Sequence, residues 1–300
     1  MPELKEKLMS LRDAAGLVKS GSTIAFGGMA IRDHPMGFIY ELIRQGIGDL
    51  TILGWANGND VDVLVGAGLV KRVDTSYVGL EAFGLAPNFR RGVERGEIEV
   101  KEYTEVTGVD RFRAGSMAIP FFPVMELFGS DIVKHNPDIR EAICPITGER
   151  YHAIPAARPD IGVVHAPLAD AHGNVLYGPT RVLYTDTDIR IAMAAKKTIV
   201  TVEQIVDHER VMRNANLNLI PKYRVEAAVE VPFGAHPCAC NCLYDFDREH
   251  LREYTQAAKT PETFRAYLEK YIYGSKDHID YLNRVGGMRR LLPLKHGRCA

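Results

Sequence analysis

Residues 20–35 read Ser20-Gly-Ser-Thr-Ile-Ala-Phe-Gly-Gly-Met-Ala-Ile-Arg-Asp-His-Pro35. The β-branched and apolar run from Thr23 to Phe26 predicts a short strand, which stops at Gly27-Gly28. Pro35 opens an apolar-periodic stretch carrying Phe38, Ile39, Leu42 and Ile43, the pattern of a helix. Strand, double glycine, helix is how an α/β protein brings bare backbone N–H groups to a ligand at the carboxyl edge of its sheet. The absent Cβ atoms let a thioester or phosphate approach the amides. A tight strand-to-helix turn with no ligand reads equally well from the same residues. The spacing is neither the Gly-x-Gly-x-x-Gly of a dinucleotide fold nor the Gly-x-x-x-x-Gly-Lys of a P-loop.

Around this unit, strand-like and helix-like stretches alternate. Strands are predicted near residues 23–26, 50–53, 72–77, 98–103, 161–165, 198–202 and 225–231. Helices are predicted near 11–18, 35–44, 61–67, 88–95, 107–118 and 187–194. This order implies an α/β fold, a mostly parallel open sheet with helices on both faces. Residues 169–174, Ala-Asp-Ala-His-Gly-Asn, sit between two apolar runs and read as a hairpin turn, with His172 a turn residue rather than a catalyst. The tail predicts three helices over 247–258, 261–271 and 277–285, each opened by Asp or Pro, and Gly286-Gly287 stop the last one. Its Tyr254, Phe264, Tyr267, Tyr271, Tyr273 and Tyr281 recur at helical spacing, a packing surface. No linker or repeat divides the chain, so residues 1–300 form one expected domain with a helical extension at about 245–290.

Ligands of open parallel sheets gather beyond the carboxyl ends of the strands. Gly27-Gly28 follow the first predicted strand, residues 55–60 the second, residues 77–83 with Glu81 the third, and Thr104-Glu105 the fourth. Glu81 and Glu105 are the glutamates in this set, and a carboxylate there serves as a nucleophile or general base. As a first-turn helix residue, either serves equally as a capping or solvated loop acid.

Composition narrows the function classes. With 37 basic and 38 acidic residues the net charge is −1, so no broad basic field attracts nucleic acid or an anionic membrane surface. No apolar run approaches the roughly 20 residues that cross a bilayer. The charged amino terminus lacks an apolar signal core, so a cytoplasmic location is expected. Five cysteines, an odd number in a long chain, argue against a disulfide scaffold. Cys238, Cys240 and Cys242, with His236 before them, have alternate spacing rather than a Cys-x-x-Cys knuckle. They read as buried thiols beside a loop, and no metal is expected.

The opening stretch resembles the first motif of the α subunit of class I CoA-transferases. That motif has a polar residue with glycine, an apolar run, Gly-Gly-Phe and a later proline. Ser20-Gly21, Ile24-Ala25-Phe26, Gly27-Gly28-Met29 and Pro35 fall at the matching places, with Met29 for the usual phenylalanine and Asp33 where glycine is frequent. Residues 43–51, Gly234-Ala235-His236-Pro237, residues 243–247 and residues 276–283 are similar to glutaconate CoA-transferase α subunits in particular, so the resemblance runs from about 11 to about 295. Those subunits keep a cysteine only at the place of Cys240, so metal is not a family property. The resemblance implies a class I mechanism, in which a glutamate carboxylate attacks an acyl-CoA thioester and comes to hold CoA as an enzyme thioester. An incoming carboxylic acid then takes the CoA. Glycine-loop donors would steady the oxyanion.

In glutaconate-type enzymes that glutamate lies on the β subunit, and their α subunits carry glutamine at the place of Glu105. A second branch, the two-subunit CoA-thioester hydrolases that open the last ring in bacterial steroid breakdown, carries its working glutamate on the α subunit. Counting back from Ile119-Pro120-Phe121-Phe122-Pro123, which matches the hydrolases' Leu-Pro-Phe-Leu-Pro, places it at Glu105.

The expectation is therefore an α subunit that works with a β subunit of the same fold, as α2β2, on an acyl-CoA and a carboxylic acid. Coenzyme A enters as part of the substrate, with no tightly bound cofactor. Gly27, Gly28 and Met29 are expected to line the acyl-CoA site, and Glu105 to be the catalytic group. Transfer of CoA ranks ahead of ring-opening hydrolysis, and a non-catalytic CoA-binding or regulatory subunit is the further alternative.

Overall fold

Four short strands, β1 (Thr23–Phe26), β2 (Leu50–Leu53), β3 (Val70–Thr75) and β4 (Glu99–Glu102), lie side by side in parallel in that order. The computed structural model describes residues 5–178 and 182–295. After β4 the chain leaves the sheet to form β5 (Phe121–Val124), β6 (Arg140–Ile143) and β7 (Arg150–Pro155), and returns as β8 (Ile161–Asp170). It continues through β9 (Val175–Leu176), β10 (Lys197–Val206), β11 (Asn218–Ile220) and β12 (Val225–Glu230). β8 pairs in parallel with the free edge of β1 (Ile24 opposite Ile161, Phe26 opposite Val163), and β10 and β12 add beyond it, also in parallel. The parallel sheet thus runs β4-β3-β2-β1-β8-β10-β12. Strand order reverses between β1 and β8, which opens a crevice at their carboxyl ends.

Alternation along each strand separates two faces. Ile24 and Phe26 join a core with helices α1 (Leu11–Ala15), α2 (Met36–Gln45) and α3 (Asn59–Gly66), against which Phe89 of α4 (Pro87–Glu94) also packs. Ala25 points the other way, into a second core with Phe112 of α5 (Glu105–Ser116) and Ile191 and Ala192 of α6 (Leu183–Ala194). Helices therefore cover both faces, as the alternating pattern implied. Residues 170–175 form the expected hairpin turn, with Asp170 Oδ1 accepting from the amides of His172 and Asn174.

The tail is built into the first core. Tyr254 of α7 (Arg248–Ala257), Phe264 and Tyr267 of α8 (Pro261–Leu268), Tyr271, and Tyr281 of α9 (His278–Arg284) are all buried there, and Tyr281 packs on Tyr40 with ring centroids 4.9 Å apart. Each such ring withdrawn from water contributes about 2 kcal/mol. Their hydroxyls are satisfied at the same time: Tyr254 donates to Asp62 Oδ2 at 2.5 Å, and the Tyr281 and Tyr267 oxygens lie 2.8 Å from ring nitrogens of His236 and His250.

Several features depart from the expected pattern: Tyr273, expected in the packing surface, is 45% exposed, and a helix (His208–Arg213) and the strand β11 lie where no element was expected. Gly286-Gly287 end α9, but a further helical turn, α10 (Gly287–Leu291), follows them. The region between residues 118 and 161, to which periodicity assigns no element, holds a small antiparallel sheet ordered β5-β7-β6. Its strands are short, interrupted by Pro123 and Pro155, and much exposed, so their alternation is weak. No helix among the described residues is long and apolar enough to cross a membrane.

Asp160 joins the two halves of the sheet at the base of β8. Its Oδ2 accepts from Thr23 N at 2.9 Å and Thr23 Oγ1 at 2.7 Å, and its Oδ1 from Lys196 Nζ at 2.7 Å. The lysine bond, reinforced by the Thr23 amide, holds its carboxyl down at about 2. A carboxyl depressed on folding stabilises the protein above its unfolded value near 4, and that stabilisation disappears as pH falls towards 2. Asp160→Asn is expected to lower Tm at pH 7 and to flatten the acid limb of the stability curve between about pH 4 and pH 2. Thermal unfolding followed by circular dichroism across that range checks this, and parallel acid limbs for the two proteins would refute it.

Candidate active site

Gly27 and Gly28 leave β1 at the crevice, and both are buried. Gly28 adopts φ +95°, and a Cβ there would stand 2.4 Å from Arg32 O and 2.7 Å from His34 N. A Cβ on Gly27 would meet Asp188 Oδ1 at 2.8 Å. The close approach that the glycines permit is thus to the chain itself. Their amides are likewise engaged: Gly27 N donates to Val163 O at 2.8 Å, Gly28 N to Asp188 Oδ1 at 2.8 Å, and Met29 N to Arg32 O at 2.9 Å. The expectation of bare backbone donors is corrected here, because a carboxylate from α6 and two carbonyls already accept these bonds. Asp33, which stands where glycine is frequent, has φ +54°, a conformation that glycine adopts freely and Asp tolerates.

Glu105 begins α5. Thr104 caps the helix, its Oγ1 accepting from Thr107 N at 3.1 Å while Thr107 Oγ1 accepts from Thr104 N at 2.9 Å. Glu105 is exposed and makes no hydrogen bond or ion pair with the described residues. The nearby charges are committed elsewhere: Arg113 donates to Asp110 at 2.8 Å and Arg111 to Asp74 at 3.1 Å. Val109, one turn along the same helix face, belongs to the small apolar cluster of Trp55, Ala56 and Tyr184 that half-buried Met29 also joins. The helix that Glu105 opens and the glycine turn therefore meet at one cluster, through Val109 and Met29. Glu81 is exposed in a 3-10 turn over Glu81–Phe83.

Beyond the carboxyl halves of β8 and β10 lies a cavity of about 830 Å³ whose buried wall includes Asp33, His165, Tyr177 and Asp188, with Glu203 and Tyr244 beside them. Glu203 is saturated with donors: His165 Nε2 (2.9 Å), Tyr244 OH (2.7 Å) and Gly234 N (3.0 Å) reach Oε1, and Phe233 N (2.8 Å) reaches Oε2. Burial pushes its carboxyl up, but the bonds from His165, Tyr244 and Phe233 outweigh burial and hold it below the ordinary range. Asp188 has a single backbone donor, Gly28 N, so burial, aided by the charge of Asp33, pushes it well above that range. Burial also pushes Asp33 up, against a bond from Asn241 N at 2.7 Å and weaker opposition from His165, Tyr184 and Cys240.

The expected site list holds none of these groups. Glu203 directly follows the expected end of the β10 run, and extending the carboxyl-end reading into the second half of the chain finds it. Asp188 sits in the middle of a helix with no sequence signal of its own. Cys238 and Cys240 are buried, and burial pushes both thiols well up. Cys240 groups with His165 and Glu203, their ligand-type atoms all within 4.8 Å of one another, but the histidine and glutamate already bond each other. The ring nitrogens of His236 are occupied by Tyr281 OH (2.8 Å) and Asp247 Oδ2 (3.1 Å).

Gly28→Ala adds a side chain at a positive φ and against backbone atoms. It is expected to cost about 2 kcal/mol or more of stability, read as a Tm lower by several degrees, and an unchanged Tm would show that the turn has room this geometry denies it.

A family model described as Coenzyme A transferase matches residues 8–230. An uncharacterised protein of Archaeoglobus fulgidus is 39% identical over 98% of this chain, which spans 65% of that relative's length. A glutaconate CoA-transferase subunit of Acidaminococcus fermentans is 35% identical, with 96% of this chain and 94% of the relative covered. The crystal structure of the glutaconate coenzyme A-transferase from that organism superimposes with a TM-score of 0.91 at 33% identity, covering 97% of this chain and 96% of that one. The IpdA subunit of the cholesterol ring-cleaving hydrolase of Rhodococcus jostii is 31% identical over 92% of this chain and 95% of its own. Sheet order, crevice and sequence agree, and the chain belongs to the Coenzyme A transferase family.

Proposed function

We propose that this chain is the α subunit of a heteromeric enzyme that transfers CoA between carboxylic acids, working in the cytoplasm with a β subunit of the same fold as an α2β2 assembly. The similarity to a glutaconate CoA-transferase subunit carries this reading, because it extends through the tail helices as well as the sheet. Coenzyme A is brought by the substrate thioester. The Gly27-Gly28 turn fixes the position of Met29, whose partly exposed side chain forms the rim against which the acyl-CoA lies at the subunit boundary. Glu105 supplies the carboxylate from this chain; it has no ion pair with the described residues, and the amino-terminal dipole of α5 favours a negative charge there. It attacks the thioester as a nucleophile or positions the reacting groups beside a partner's glutamate.

A second reading, hydrolysis, is favoured by one observation: a free carboxylate stands where glutaconate-type α subunits are expected to carry glutamine. As a general base Glu105 would activate water rather than receive CoA. A regulatory CoA-binding role leaves the same carboxylate without chemistry.

Glu105→Gln in the assembled enzyme separates these readings. If Glu105 does the chemistry, turnover falls by about a hundredfold or more while assembly persists. In the unaltered complex, label exchange between acyl-CoA and free acid without net CoA release marks transfer, and stoichiometric CoA release marks hydrolysis. Turnover that survives Glu105→Gln unchanged moves the working carboxylate to the partner subunit.

A further inference from the structure

The cavity beyond β8 and β10 is built for a ligand with a particular distribution of polarity. Its wall is largely apolar, with Leu168, Leu176, Leu217, Phe233 and Leu243 along it, and the exposed Arg210 and Lys295 stand at its mouth. At the buried end are Asp188 and Tyr177. The Tyr177 hydroxyl is buried and has no hydrogen-bond partner among the described residues, although its own backbone N–H donates to Leu217 O at 3.1 Å. Leaving a buried hydroxyl unpaired costs about 1–3 kcal/mol, so a ligand oxygen bonded to this cavity-lining hydroxyl would gain that much. Asp188 has its Oδ1 engaged by Gly28 N, so the cavity-lining acid is tied directly to the turn at the end of β1.

We infer that this cavity binds an apolar chain carrying an uncharged carbonyl oxygen, with the carbonyl received by the Tyr177 hydroxyl and the Asp188 carboxyl and an anionic end met by Arg210 and Lys295. Burial pushes both the Tyr177 hydroxyl and the Asp188 carboxyl upward, towards the neutral forms that can donate to such an oxygen. A second carboxylate is a poor fit at the buried end, where Asp33 and Asp188 already crowd two acids. The inference rests on the proposed CoA chemistry, which supplies two sources of such a chain: an oxo-acyl group, or the amide-bearing pantetheine arm of CoA with its phosphates at the mouth. Tyr177 and Asp188 are then specificity-determining residues that the glycine turn couples to the rest of the site.

Calorimetric titration of the assembled protein with 5-oxohexanoate, with hexanoate and with CoA tests this directly. Tyr177→Phe removes only the hydroxyl and is expected to weaken one carbonyl ligand about tenfold while leaving hexanoate unchanged. Weakening confined to 5-oxohexanoate assigns the cavity to the acyl group, and weakening confined to CoA assigns it to the pantetheine arm. Leu217→Trp fills the cavity and is expected to abolish binding of that same ligand. Unchanged affinities for both carbonyl ligands in a variant with unaltered thermal unfolding overturn the inference. These readouts are independent of turnover. Active enzyme with unaffected Tyr177→Phe binding removes this inference alone, and a carbonyl-selective binding loss in a protein that neither transfers nor releases CoA removes the catalytic reading alone.

Discussion

The parallel pairing of β1 with β8 is the interaction on which the remaining architecture depends. It joins segments whose partnered residues, Ile24 and Ile161, Phe26 and Val163, are far apart in the chain, and Asp160 clamps its base through both the amide and the hydroxyl of Thr23. Without that seam the first four parallel strands and the later group around β8 would be separate sheets, each with an open edge. With it, strand order reverses at one place, and the glycine turn leaves the sheet at that place. Because β8 and β10 run ten residues each while β1 runs four, the second half of the sheet projects past the first and walls the cavity.

Three buried acids near that crevice show how one environment produces opposite protonation. Burial pushes Glu203, Asp33 and Asp188 alike towards the neutral form, and the donors and charges around each decide how far it goes. Glu203 receives four bonds and is held down, whereas Asp188 receives one backbone bond and is driven up. The saturated glutamate is a structural anchor that gathers β8, β10 and the 233–244 loop. The undersupplied aspartate is pushed towards the protonated form, which can donate to an oxygen in the cavity. The glycine turn belongs to this same network, since its amides are acceptor-bound within the chain and its contribution is to place Met29, Asp33 and Asp188.

The carboxyl-terminal helices contribute in a different way. Their tyrosines combine a large apolar area with a hydroxyl that finds Asp62, His236 or His250, so the tail both fills the first core and satisfies polar groups buried in it. This leaves α2, the helix that follows the glycine turn, enclosed over most of its surface. The turn is thereby held from both ends, by Asp188 on one face of the sheet and by the tail packed on α2 on the other.

Strand and helix order, both helix-covered faces, the hairpin turn near His172 and the helical tail were all legible in the sequence. Each rests on local periodicity or on residues with fixed backbone preferences, such as Pro35 and the paired glycines. The position of Glu105, between the end of a strand and a helix, was also legible. The antiparallel sheet over 121–155 was not, since its strands pair with one another across loops and carry little alternation. Nor were the engaged amides of Gly27, Gly28 and Met29 legible, or the cavity with Asp188 and Tyr177. Those depend on a side chain from α6 arriving 160 residues after the turn it bonds, and on the lengths by which two strands outrun a third. Sequence patterns report what a segment prefers by itself. Which donors and acceptors meet, and which are left unmet, was decided only when distant segments were brought within hydrogen-bonding distance.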